Sequence, residues 1–259
     1  MVGKSDGTYS STRKFLPKTK ITKNEAKKMI NRLKNKGKRF KLSYDGQVLR
    51  IINLPKNYKD YPYILASFPN SYYEKKMWYT KQRTKKDKTP AQTAKILSDE
   101  DKDMICAKIK KNVELRLNVD YRKTFTSKWK SDLMNTYIDT NKQKSVNAYI
   151  KAAKARKVVV SSGEVIVDPS SLWMESSGTT CYARVYVKFR VKNGNIPSAK
   201  SKYQNEVIYG SYTAIKKLPS KKSITYADEI GCDISYTNKK ITSCGVAWNF
   251  DCIADTFGK

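Results

Sequence analysis

Histidine is absent from the 259 residues of this chain. Serine–histidine–aspartate and cysteine–histidine nucleophilic sites, the HExxH zinc helix, and histidine-ligated zinc or haem all need an imidazole, so all are excluded. Arginine is scarce, supplying 10 of the 53 basic residues. Base-edge reading and bidentate phosphate clamping favour the guanidinium fork, whereas lysine acts as a hydrated point charge. No CxxC pair occurs among the five cysteines, so a zinc site would need four scattered thiolates, and no metal is expected. P-loop, GxGxxG and zinc-finger spacings are missing as well, and no cofactor is expected. No apolar run reaches the roughly 18 residues of a membrane-spanning helix. Met1 leads straight into polar sequence, so a secretory leader, if there is one, lies outside this sequence.

Acidic residues are few, 23 against 53 basic ones, for a formal charge of +30. The excess is uneven: residues 1–160 hold 40 basic and 14 acidic side chains, residues 161–259 only 13 and 9. Charge gathered in one part of a chain suggests an anionic partner: nucleic acid, a phosphate-rich cell-wall polymer or acidic lipid. A solvated lysine-rich surface is the plainer alternative. The hydrophobic fraction is low at 39%, yet 18 tyrosines and 7 phenylalanines argue for packed structure rather than a disordered tail.

Residues 1–20 read as a flexible basic arm. Thr22-Lys23-Asn24-Glu25 fits a capping box, and Ala26, Met29, Ile30 and Leu33 follow on one helical face, with Gly37 marking the end. Asp45-Gly46, between Phe40–Tyr44 and Gln47–Ile52, predicts a hairpin. Residues 58–79 are crowded with aromatics (Tyr58, Tyr61, Tyr63, Phe68, Tyr72, Tyr73, Trp78, Tyr79), while Pro62 and Pro69 forbid one long helix. These rings could stack on bases or sugars. The favoured reading is that they staple the small unit of residues 21–79 onto the next domain, since so short a unit needs such support. Residues 80–97 read as a charged linker, and residues 98–259 as the main domain.

That domain opens with helices. Ser98-Asp99-Glu100-Asp101 is a helix start with acids at the positive end of the dipole. Asp99, Asp101 and Asp103 have the spacing of calcium-loop ligands, but Met104 and Lys110 stand where that loop needs glycine and glutamate, so capping is preferred. Trp129, Leu133, Met134, Tyr137 and Ile138, then Val146, Tyr149, Ile150 and Ala153, recur at helical spacing. From Val158 the period becomes two. Residues 158–160 and 165–167 read as short strands around Ser161-Ser162-Gly163, and residues 206–214, 224–236 and 241–250 as further strands. In residues 179–192, Cys181, Ala183, Val185, Val187, Phe189 and Val191 form a core face. The opposite face carries Tyr182, Arg184, Tyr186, Lys188 and Arg190, and is expected to be wet. Arg184, Tyr186, Lys188 and Arg190 are the candidate binding residues: the cations would meet an extended anionic polymer and the tyrosine would offer a stacking plane. A merely solvated sheet face is the competing reading.

No catalytic residue is assigned. Ser127-Lys128-Trp129-Lys130 matches the SxxK pattern of penicillin-recognising enzymes but lacks that class's companion motifs. Carboxylates such as Asp228 with Glu229, or Glu164 with Asp168, are the remaining acid–base option, and a carboxylate-dependent enzyme is a further alternative. If Asn238 centres the turn 236–240, Cys232 and Cys244 fall opposite each other, within reach of a disulfide. Two free thiols, or a bridge in which Cys252 replaces either partner, are the alternatives.

Helices followed by long antiparallel strands over about residues 98–252 resemble the cystatin-like and NTF2-like cone folds, in which a curved sheet wraps a helix. The segments 54–74 (LPKNYKDYPYILASFPNSYYE) and 155–173 resemble secreted surface proteins of low-GC Gram-positive bacteria, some with a stalk-type domain. That resemblance implies an extracellular location, in which a disulfide is at home. The expectation is an α+β protein with a small helix-plus-hairpin unit, then helices on a curved antiparallel sheet. Its function would be that of a secreted or surface module binding anionic cell-wall polymer or a surface protein. An intracellular nucleic-acid-binding protein of phage or plasmid origin is the alternative.

Overall fold

In this computed structural model the residues described are 20, 22–35, 40–138, 140–155, 157–193, 223–237, 240–247 and 255–256. The basic arm up to residue 19, Gly37, the expected strand 206–214 and Cys252 lie outside them. Helix α1 spans Lys23–Lys34, and its capping box forms as the sequence implies. Glu25 accepts from Thr22 N at 2.7 Å while Thr22 Oγ1 accepts from Glu25 N at 3.2 Å. The hairpin also forms: Leu42 bridges Val48, and Gly46 takes the φ of 77° that the turn demands. Leu49 then bridges Leu65, which draws the aromatic segment alongside the hairpin.

Short helices follow, α2 (Asn70–Glu74), α3 (Trp78–Gln82) and α4 (Pro90–Thr93). Pro69 is the N-cap of α2, and Pro90 opens α4 at a position where a missing N–H costs nothing. Residues 80–97, read as a linker, carry α4, bury Pro90, Thr93 and Leu97, and bridge Lys88 to Met174.

Helices α5 (Asp99–Arg116), α6 (Ser127–Met134) and α7 (Lys142–Ala155) come next. Asp99 and Asp101 serve the start of α5, where Ser98 and Asp101 make a capping box, as Thr89 and Gln92 do on α4. Beyond the two-residue strand β1 (Val119–Asp120) run β2 (Val159–Met174), β3 (Thr180–Asn193), β4 (Ser223–Thr237), β5 (Lys240–Val246) and β6 (Asp255–Thr256). They form one antiparallel sheet in the order β1-β2-β3-β4-β5, with β6 also on β4. The protein is thus α+β, with helices packed on a curled antiparallel sheet.

The two short strands expected around Gly163 are one long strand. Register shifts at Ser162–Glu164 and Asp168–Trp173 absorb Gly163 and Pro169 as bulges, where an unpaired residue or a missing N–H is tolerated. The core face of β3 is as the alternation implies. Ala183, Val185, Val187, Phe189 and Val191 pack with Ile105, Ile109 and Val113 of α5 and with Val146 and Tyr149 of α7.

The other face is covered from Tyr182 to Tyr186 and wet only beyond it, at Lys188 and Arg190. Phe68, Tyr72, Tyr73 and Met77 lie with Ile166 of β2 and against Tyr186, and Tyr79 packs with Trp173 and Tyr182. The aromatic segment therefore roofs the sheet's outer side, which accounts for the unbroken burial of β2 from Val165 to Met174. The rings tie the hairpin side, through Leu49 and Leu54, to the sheet as the staple reading expects, but helix α1 buries no residue there.

Gly245 sits where β5 meets the chain leaving α6. Val246 N donates to Thr136 O at 2.8 Å, and a Cβ on Gly245 would stand 2.5 Å from Ile138 N and 2.8 Å from Tyr137 C. Backbone on both sides cannot yield cheaply. Gly245→Ala is expected to destabilise the fold by about 2 kcal/mol or more, seen as a lower urea midpoint at unchanged slope.

Candidate functional site

Arg184 was expected to face solvent and is instead 3% exposed. The register sets it opposite Glu229 on β4, itself 1% exposed, with Arg184 Nε 3.7 Å from Glu229 Oε1. Its guanidinium reaches across to the roof: Nη1 donates to Tyr72 O, and Nη2 to Lys75 O at 2.6 Å. Glu229 meets the same segment from the neighbouring strand, accepting from Thr80 N at 2.7 Å and from Thr80 Oγ1. Two buried charges thereby hold residues 72–80 on the sheet. Main-chain bonds compensate their lost hydration, which a buried pair requires if it is not to cost more than it returns.

Above Arg184 opens a cleft of about 510 Å³. Tyr61 and Tyr73 wall it, edge to face with centroids 4.9 Å apart, and burial pushes the Tyr61 phenol up to about 12. Lys56, Lys75, Lys76 and Arg83 line it with Arg184, against Asp60 and Glu74. Glu74 already accepts from Lys56 N at 2.7 Å, and Glu229 answers Arg184. The balance of the lining is cationic, set beside two tyrosine rings.

Asp168 lies beneath, at the bulge of β2, 0% exposed. Its Oδ1 accepts from Ser170 N at 2.8 Å and Ser170 Oγ at 2.7 Å, while Ser171 Oγ donates to Asp168 O and accepts from Arg184 N. Burial pushes the carboxyl up to about 6, against the opposing pull of the Ser170 bonds, Tyr73 and Arg184. The carboxylate serves the bulge's own main chain and is not part of the cleft lining.

The four binding candidates on β3 do not form one site. Arg184 floors the cleft. Tyr186, expected as a stacking plane for a ligand, is half-buried with its ring 5.7 Å from Phe68, while Lys188 and Arg190 stay exposed. The cause is the roof, which ends over Tyr186 and leaves the far end of the strand bare. Reasoning from sequence missed Lys56, Lys75, Lys76, Arg83 and Thr80, and named Glu229 only beside Asp228 as an acid–base option, not as the partner of Arg184. The available signal was Glu229, a charged residue in the alternating pattern of a strand on the same face as Arg184.

Cys232 and Cys244 are also placed differently. Cys232 pairs with Val246 and Cys244 with Ile234, because the hairpin closes at Thr237–Lys240 and a bulge follows between Ser235 and Tyr236. The two cysteines are diagonal rather than opposed. Their thiols are free; the neighbouring Cys244 thiol together with burial pushes the Cys232 thiol up. Ser127 of the SxxK match is exposed in the first turn of α6. Among the described residues no cluster of cysteine, aspartate and glutamate could hold a metal ion.

No protein-family model matches the chain, and no curated protein does. Among solved structures it is similar to one from Xanthomonas campestris pv. campestris described as a polyketide cyclase. Identity is 12% over 54% of this chain and 93% of that one, with a TM-score of 0.20. Overlap at that level carries neither fold nor activity across.

The buried pair makes a double-mutant test. Arg184→Met strands Glu229 without its counter-charge and is expected to cost about 3–5 kcal/mol. Combining it with Glu229→Gln should recover much of that loss in urea titrations. Asp168 predicts a pH dependence. Its folded value of about 6 lies above the unfolded one, so its contribution is fully present below about pH 4 and is lost as pH rises through about 6. Stability should fall by on the order of 2 kcal/mol across that window. Asp168→Asn, which keeps an acceptor for Ser170, should flatten the profile.

Proposed function

We propose that this chain is a binding module, acting outside the cell or at its surface, which holds an anionic polymer of the cell wall in the cleft above Arg184. The observation that carries the reading is the lining itself: Lys56, Lys75, Lys76 and Arg83 gathered beside Tyr61 and Tyr73, with Glu74 and Glu229 already engaged. Lysines on a rim suit spaced phosphates or carboxylates met as point charges, and the tyrosine walls suit the faces of sugar rings. The charge of +30 on the whole chain adds long-range attraction that speeds the encounter.

The test is co-sedimentation of the protein with purified Gram-positive cell walls at about 0.15 M salt, near a Debye length of 8 Å, with duplex DNA as competitor. Lys56→Gln/Lys76→Gln/Arg83→Gln is expected to weaken retention about tenfold. Lys144→Gln/Lys151→Gln/Lys154→Gln, the same charge change on α7 across the sheet, should weaken it far less. Equal losses from the two triples would overturn the cleft reading in favour of a diffuse polycation. Displacement by DNA with a steep salt slope would move the assignment to nucleic acid.

A further inference from the structure

Among the described residues helix α1 buries nothing, whereas α5 and α6 each bury part of one face. Ala26, Met29, Ile30 and Leu33 fall within an arc of about 100° at helical spacing. Ile30 and Leu33 are 51% and 58% exposed. The rest of the surface is cationic: Lys23, Lys27 and Lys34 border one edge of the apolar stripe, Lys28 and Arg32 lie towards the other, and Glu25 is the single acid. Glu25 is committed to the capping box, so the helix is firmly started without any help from packing.

The neighbourhood has the same character. Arg32 lies 4.0 Å above the Phe40 ring, at the start of the hairpin. Phe40 is 45% exposed, Leu42 43%, Ile51 62% and Ile52 70%. An isolated exposed leucine needs no explanation, but an apolar stripe flanked by lysines, with apolar side chains exposed on the adjoining hairpin, does.

From this we infer that α1 is an interfacial anchor, which lays its apolar stripe into the surface of a bilayer rich in anionic phospholipid. Lipid suits both halves of the helix. The acyl region takes Met29, Ile30 and Leu33, and phosphate headgroups meet Lys23, Lys27, Lys28 and Lys34, whose long stems reach outwards from the stripe. A protein groove would take the stripe but would need its own acidic rim to match lysines on both edges. The anchor is separate from the cleft in residues and in chemistry, so neither reading depends on the other.

The experiment is flotation of the full chain with two kinds of vesicle, phosphatidylcholine alone and phosphatidylcholine mixed with phosphatidylglycerol. Wild type is expected to float with the mixed vesicles and not with the neutral ones. Ile30→Asn/Leu33→Asn should reduce flotation about tenfold or more, the order expected from removing two buried apolar side chains from the interface. Its urea midpoint should be unchanged, which reports that the remainder is folded. Lys27→Gln/Lys28→Gln should weaken flotation and make it less sensitive to salt. Lys56→Gln/Lys76→Gln/Arg83→Gln should float like wild type. Absence of flotation with the mixed vesicles overturns the proposal. So does flotation that survives Ile30→Asn/Leu33→Asn, since charge alone would then suffice.

Discussion

The pairing of Arg184 with Glu229 is the constraint on which the outer half of the molecule depends. Each side chain alone would be an ion removed from water, and together they remain expensive until the main chain of residues 72–80 supplies further bonds. The dependence runs both ways. Without the pair the aromatic segment loses the bonds that fix Tyr72, Lys75 and Thr80 to the sheet, and without the segment the pair sits on a wet strand face, where ion pairs contribute little. The same guanidinium that fastens the roof also floors the cleft, so the site's geometry and the roof's attachment are one structural fact.

The sheet consequently separates two kinds of interior. On the helix side, valines, isoleucines and leucines from β2 to β5 meet α5, α6 and α7 in a core sealed by ordinary apolar packing. On the roof side the contacts are rings against rings, with Phe68 and Tyr72 stacked at 4.2 Å and Trp173 and Tyr182 at 4.3 Å, interleaved with charged and hydroxyl groups. Polar chemistry is tolerable on that side because rings with hydroxyls have both an apolar body and a hydrogen-bonding tip. The cleft opens on the side where such groups already converge.

What could be read from sequence was what local rules decide. The capping boxes at Thr22 and Ser98, the Asp45-Gly46 hairpin and the alternation along β3 all depend on a few neighbouring residues, and all stand. Long-range choices were hidden. That the face of Arg184 is covered follows from a proline-interrupted segment more than a hundred residues earlier, whose irregular path has no period to detect. The opposition of Cys232 and Cys244 failed because the turn closes at Thr237–Lys240 and a bulge follows, each of which moves every later pair of the hairpin by one residue. Of the site, Arg184 was found for the wrong surroundings. The lysines of the rim were indistinguishable from the many others in the chain.

The roof and the strands it covers lie at opposite ends of the chain's order of synthesis. Residues 58–82 emerge early, yet the carboxylate that receives Thr80 stands 149 positions later. Until β2 and β3 have left the ribosome, Phe68, Tyr72, Tyr73 and Tyr79 have no partner surface, a long interval for apolar groups to remain available to chaperones or to one another. The dense lysine around those rings then has a second use. Like charge keeps nascent copies apart while the chain waits for its own last strands.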